Sequence, residues 1–195
     1  MFTAKNISKS FENRRILRDI TIQADTGESV GIICPDQEAC VTLMDILACV
    51  IESDQGTVDV DGVVIETETS TARNMIGYVP DRPAVYSDMT LRASMRFQAD
   101  ARGMSPRSSQ SAIDETIRLF GLGDVADTMG SQLQKSAACM FGIAQACFYN
   151  PRVLIINEPT KSLDAKDAIY LREAIAALSS EHKMSVILAS SNITE

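Results

Sequence analysis

The chain has 195 residues, with 45% hydrophobic and 23% charged side chains, enough for one sizeable domain with a real core. Its net charge of −8 argues against a duplex DNA or RNA binder, which needs a basic face for phosphates, and against adsorption on an anionic membrane surface. Neither argument bears on docking to a membrane protein. No apolar run reaches the roughly 18 residues of a membrane span, and the start, Met1 to Asn6, lacks the pattern of a signal peptide, so a cytoplasmic protein is expected.

In chain order, Ile16 to Ile22 (ILRDITI) fits a half-buried strand. Val30 to Cys34 (VGIIC) is almost wholly apolar, as a buried central strand would be. A loop from Pro35 to Ala39 leads to Val41, Met44, Leu47 and Val50, with Leu43, Ile46 and Ile51, whose spacing predicts a helix. Gly56 and Asp61-Gly62 bracket a short strand, Thr57 to Val60, and the Asp-Gly pair predicts a hairpin turn. Ile76 to Pro80 is another short strand.

From residue 81 to about 150 helical spacing takes over. Leu91, Met95 and Ala99 mark one face and Ile113, Ile117 and Phe120 another, punctuated by Gly103 and Gly121-Leu122-Gly123. Strands return at Val153 to Ile156 and Val186 to Ala189, either side of a helix with Ala168, Leu171, Ile175 and Leu178 on one face. Alternating strand and helix predicts a parallel α/β core, residues 1–80 and 151–195, with a helical lobe, 81–150, inserted into it and an antiparallel β part at the N-terminus.

Five cysteines, Cys34, Cys40, Cys49, Cys139 and Cys147, form no CxxC pair and are expected as reduced, mostly buried thiols. A disulfide or metal site from Cys34 and Cys40 is the alternative. His182 lies in a polar stretch and is expected to be solvated.

Five stretches, in order, resemble the ATP-binding subunit of ABC transporters. Gly31 to Leu43 (GIICPDQEACVTL) lies where that family has its phosphate loop, and Leu47 through Val58 resembles the helix and turn that follow. Ile76 to Arg82 (IGYVPDR) resembles the strand into the Q-loop. Leu133 to Ala137 (LQKSA) with Gly142 to Pro151 resembles the signature and its helix. Val153 to Asp164 (VLIINEPTKSLD) resembles the Walker B strand and D-loop, and is the most specific of the five. The run Tyr86 to Leu91 looks most like the drug- and antibiotic-exporter branch. The resemblance implies a P-loop NTPase-like α/β fold as a single domain over 1–195. It also implies ATP and magnesium as ligands, a membrane permease as partner, a homo- or heterodimer with another ATPase subunit, and a place on the cytoplasmic face of the membrane through the permease.

A phosphate loop aims backbone N–H groups at anions from the positive end of a helix, with the pattern Gly-x-x-x-x-Gly-Lys-Ser/Thr. Here the aligned run is Cys34, Pro35, Asp36, Gln37, Glu38, Ala39, Cys40, Val41. Cys34 and Ala39 replace the glycines, Cys40 the lysine and Val41 the magnesium-binding hydroxyl, while Thr42 offers a hydroxyl one position late. Asp36 and Glu38 put two acids in the loop with no base. A like charge at contact distance is worth about 1 to 4 kcal/mol against ATP between bulk water and an effective dielectric near 20.

The other aligned positions are altered too: Asn157 for the Walker B acid, Asn192 for the H-loop histidine, Gln134 and Ser136 within the signature, and Asp81 at the Q-loop. Thr42 and Asp81 are the candidates for a magnesium ligand. Glu158 stands at the catalytic-base position, where a carboxylate orients water, or is an ordinary strand end. Asp164 is a D-loop residue or a helix N-cap. Phe11 stacks on adenine or is core.

The expectation is a subunit that binds ATP weakly or not at all and acts structurally or as a regulator of a transporter. The alternative is a working ATPase powering an exporter, with another cation such as Lys135 or a partner's arginine reaching the phosphates. A third reading is a binding module for another ligand, made redox-sensitive by Cys34 and Cys40.

Overall fold

The computed structural model describes residues 1–161 and 163–191. Its elements are strands β1 (Phe2–Phe11), β2 (Arg14–Ala24) and β3 (Ser29–Ile33), helix α1 (Gln37–Leu47), strands β4 (Gln55–Val60) and β5 (Val63–Val64), helix α2 (Thr69–Met75), strand β6 (Ile76–Val79), helices α3 (Leu91–Ala101), α4 (Pro106–Leu119) and α5 (Lys135–Cys147), strand β7 (Val153–Asn157), helix α6 (Ala165–Ser180) and strand β8 (Ser185–Ser190). They make an antiparallel sheet in the order β2-β1-β4-β5 and a parallel sheet in the order β3-β8-β7-β6. This is the expected α/β architecture with an N-terminal antiparallel part.

β1 has no counterpart among the expected strands. Its pairing with β2 shifts register between Ala4 and Ile7 and again between Ile7 and Lys9, so its buried residues do not alternate. The Asp-Gly hairpin is present. Asp61 (φ 52°) and Gly62 (φ 87°) are both left-handed between the paired Val60 and Val63, as a two-residue turn matched to strand twist requires.

In the parallel sheet, β7 lies between β6 and β8 and all five of its residues are buried. β3 departs from expectation. It is an edge, paired only with β8 among the described residues, and its side chains alternate, with Ile33 60% exposed. An apolar run alone does not distinguish an edge from a centre.

α1 also differs from its expected limits. It begins at Gln37, inside the expected loop, because Asp36 caps it, and it ends at Leu47, short of Val50 and Ile51. Cys49 follows with φ 60°, the left-handed geometry that closes a helix. The buried side of α1 joins one core with both sheets, in which Leu43, Met44 and Leu47 pack among Phe2, Ile7, Val58, Ile155 and Ile187. α2 has a single buried residue, Ala72, and shows no periodic signal.

Residues 1–81, 151–159 and from Ala176 onward group into one compact unit; Arg82–Asn150 and Thr160–Ile175 form a second. In the second unit Thr90 and Ser105 cap α3 and α4, accepting from the amides of Ala93 and Ser108 at 3.2 Å each, and Pro106 opens α4. The expected faces are buried: Leu91, Met95 and Ala99 on α3, Ile113 and Ile117 on α4, with Phe120 just after it.

Candidate nucleotide site

The turn between β3 and α1 is tied at both ends. The Cys34 amide donates to the Ser190 carbonyl at 2.9 Å, and the Cys40 amide to the Asp36 carbonyl at 3.0 Å. The Asp36 side chain folds over the helix start, its Oδ1 accepting from the amides of Glu38 at 2.9 Å and Ala39 at 3.2 Å. These are first-turn donors with no partner inside the helix, the groups an anion at a helix N-terminus would take. Glu38 forms an ion pair with Arg14 of β2. The expectation of two acids with no base is therefore corrected: a base comes from a strand more than twenty residues upstream, and residue spacing carries no sign of it.

Gln37 is exposed, while Ala39 and Val41 are half-buried. Cys40 is 2% exposed, and its thiol donates to Oδ1 of Asn157 at 3.5 Å. Burial, the Cys34 side chain and the carboxylates of Glu158 and Asp81 all push the Cys40 thiol far above the usual thiol range, so it stays neutral. Thr42 lies on the buried side of α1. Asn157 is itself buried at the end of β7. Glu158 follows with φ 53°, a left-handed backbone that costs about 1 kcal/mol or more for a residue with a Cβ. Its amide donates to the Ala189 carbonyl at 2.8 Å and its Oε1 accepts from the Ser191 amide at 2.9 Å. Beneath the same region the Tyr78 hydroxyl donates to Asp45 at 2.6 Å.

The fold thus gathers Cys34, Asp36, Cys40, Asp81, Asn157 and Glu158 in the first unit. Gln134 and Ser136 belong to the second. Gln134 precedes α5 without a side-chain cap, and Ser136 hydrogen-bonds Asp167; both line a cavity of about 580 Å³ with Ala137, Met140, Lys166 and Tyr170. Phe11 is not core: it is 45% exposed at the β1–β2 hairpin, with the Lys9 ammonium 5.6 Å from its ring centroid. Its cross-strand partner is Arg14, which reaches the loop helix. Asp164 caps α6, its Oδ1 accepting from the Asp167 amide at 2.8 Å. Ser162 of the D-loop and Asn192 lie outside the described residues. Among the described residues no group of three or more Cys, His, Asp or Glu side chains is placed to hold a metal ion, so Thr42 and Asp81 stand without such a cluster.

The family model of the ABC transporter matches residues 17–161, most of the chain, with β3, the turn after it and α1 inside the match. The chain belongs to the ABC transporter family. It is 30% identical to the phosphate import ATP-binding protein PstB 2 of Natronomonas pharaonis, over 88% of this chain and 64% of that protein. It is 27% identical to the linearmycin resistance ATP-binding protein LnrL of Bacillus subtilis, over 100% of this chain and 62% of that protein. The chain therefore spans less than two thirds of the length of these two relatives. Among solved structures, a dimeric ATP-binding cassette in a post-hydrolysis state bound to ADP and Pi superposes with a TM-score of 0.88, covering 100% of this chain and 89% of that one at 21% identity. That likeness concerns the fold. Members of the ABC family bind ATP with magnesium, pair as dimers and work with membrane permeases. Among the described residues of this member, no helix is long and apolar enough to cross a membrane.

Proposed function

We propose that this ABC-family chain is a non-hydrolytic subunit of a transporter, binding ATP weakly or not at all and serving a structural or regulatory role at the cytoplasmic face of a membrane. The observation that carries this reading is the Asp36 carboxylate on the amides of Glu38 and Ala39. The donors that would cradle a phosphate already hold an anion belonging to the chain. Displacing it means exchanging one negative group for another without the lysine that favours the incoming one. The residues present also do not fit magnesium: the Asn157 amide is neutral and engaged by a thiol, and Val41 has no hydroxyl.

Docking surfaces support the same role. Tyr86 and Phe97, 43% and 50% exposed, form an edge-to-face pair with centroids 5.8 Å apart, within the stretch from Asp81 to Thr90 and the helix from Leu91 that we assign to the permease. The dimer partner would be another ATP-binding subunit or a second copy.

One observation favours a working ATPase instead. Glu158 keeps a carboxylate at the end of β7, with one oxygen held by the Ser191 amide. Calorimetric titration with Mg-ATP decides between the readings, run beside a Cys40→Lys/Val41→Ser variant. Absence of heat from the unmodified chain is expected. Micromolar binding by that chain, with Glu158-dependent turnover, would overturn the proposal.

A further inference from the structure

A cavity of about 270 Å³ lies in the first unit at the C-terminal end of α1, the end away from the Asp36 turn. The 11 residues of the helix between them span about 16 Å. So small a volume falls below the roughly 300–1,000 Å³ of drug-sized ligand sites and suits a small metabolite. Its apolar lining comes from Ile46, Val58 and Ile65, all buried, and from the half-buried Ile51.

The exposed Arg73 and Glu66 complete that lining, and each is fastened to backbone rather than to the other. The Arg73 guanidinium donates to the Cys49 carbonyl, from Nε at 3.3 Å and from Nη2 at 2.9 Å. Glu66 Oε1 accepts from the Val58 amide at 3.1 Å. Cys49 and Val58 themselves line the cavity, so both charged heads are held at its wall. These bonds leave most of the guanidinium donors and the second carboxylate oxygen to a ligand. Among the described residues neither Arg73 nor Glu66 belongs to an ion pair. Burial pushes the Cys49 thiol up to about 11, with Arg73 opposing and Glu66 adding to the rise, so the thiol stays neutral and contributes no charge. Glu52, also exposed in the lining, adds a second acid. A simple anion would meet both carboxylates and a simple cation would meet Arg73, whereas a ligand carrying both signs answers both.

We propose that this cavity binds a free α-amino acid with a small apolar side chain, its carboxylate on Arg73, its ammonium on Glu66 and its side chain among Ile46, Ile51, Val58 and Ile65. The inference goes beyond the nucleotide reading and does not depend on whether ATP binds. The two anchored heads are already in place, so little ordering is left for binding to supply. A bound ligand would tie the chain just after α1 to β4 and α2, and occupancy would raise the melting temperature by mass action.

The test is amide NMR of the full chain titrated with L-leucine in the absence of nucleotide. Expected are saturable shifts at Ser53, Glu66 and Arg73 below about 10 mM ligand. Isocaproate, isoamylamine and glycine lack in turn the ammonium, the carboxylate and the side chain, and each should bind at least about tenfold more weakly. Glu66→Gln keeps an oxygen for the Val58 amide but loses the charge; Arg73→Lys keeps the charge but loses the planar donor fork. Each should weaken leucine binding by about tenfold or more. Melts without ligand show whether the variants are folded, and Glu66→Gln carries the test where Arg73→Lys is not. The proposal is overturned by the absence of saturable shifts, or by shifts confined to residues away from the cavity. Isocaproate or isoamylamine binding as tightly as leucine overturns it too, as does undiminished binding to Glu66→Gln. Titration with Mg-ATP reads the earlier proposal separately, so failure of one does not imply failure of the other.

Discussion

Replacing Asp36 by alanine tests the cap and the occupied anion site together. The change removes two hydrogen bonds from a carboxylate to first-turn amides, at 2.9 and 3.2 Å. Loss of such a cap costs about 0.5–2 kcal/mol, the upper part of that range applying where the capping group is charged and meets the helix dipole. For a domain of this size each kcal/mol moves the melting midpoint by about 2–4 °C, so a cost of about 1.5 kcal/mol lowers Tm by about 3–6 °C. The freed amides then present an open anion site, with Glu38 still neutralised by Arg14. Pyrophosphate at about ten times its Kd would return roughly 1.4 kcal/mol by mass action, close to what the cap supplied. Thermal melts of Asp36→Ala and the unmodified chain, each with a pyrophosphate series, provide the assay. The variant should melt lower and climb back with ligand while the unmodified chain does not move. Equal midpoints without ligand would show that the cap contributes nothing. A destabilised variant that responds to pyrophosphate no better than the parent would refute the claim that Asp36 holds the anion position.

Ile155, fully buried in the central strand β7, should cost about 2–5 kcal/mol as Ile155→Ala in urea unfolding, because its neighbours on both sides leave little room to collapse. Gly56 has φ 97°, and a Cβ there would sit 2.4 Å from the Lys5 carbonyl oxygen, so Gly56→Ala should lose at least about 2 kcal/mol by the same measurement and shift the β1–β4 pairing. In the helical unit, hydrogen bonds from Gln110 and Arg92 hold the Asp114 carboxyl below the usual carboxylate range. A depressed folded-state value adds stability above the unfolded value near 4, and that contribution is lost as pH falls through the folded value. Denaturant midpoints at pH 6 and pH 3 should therefore differ less in Asp114→Asn than in the parent chain.

Strands with unbroken patterns are legible from residue spacing alone: Val153 to Ile156, Val186 to Ala189 and the Asp-Gly hairpin lie where spacing puts them. β1 is not, because its register against β2 shifts between Ala4 and Ile7, around the left-handed Asn6, and again between Ile7 and Lys9, which destroys the alternation by which a strand is recognised. β3 is legible as a strand but not as an edge, since exposure depends on which strand pairs with it. At the site, chemistry that depends on residue type is readable, such as the missing lysine at Cys40 and the neutral Asn157. Contacts between distant segments are not: Arg14 on Glu38, and the thiol of Cys40 on Asn157. An aromatic side chain suggests core, yet Phe11 stands exposed at the end of a hairpin, a placement its residue type does not disclose.

The strand order β3-β8-β7-β6 also dictates when the molecule can become itself. β3 and β6 emerge early from a ribosome but are not neighbours; both wait for β7 and β8, which follow the whole of α3, α4 and α5. At roughly 5–20 residues per second, the seventy or so residues between Val79 and Val153 amount to about 4–14 s in which two apolar strands have no partners. The antiparallel sheet, complete by Val64, is under no such delay. Newborn chains therefore carry a finished half and an unfinished half, and slow, long-range closure of the parallel sheet sets the interval during which a chaperone has most to protect.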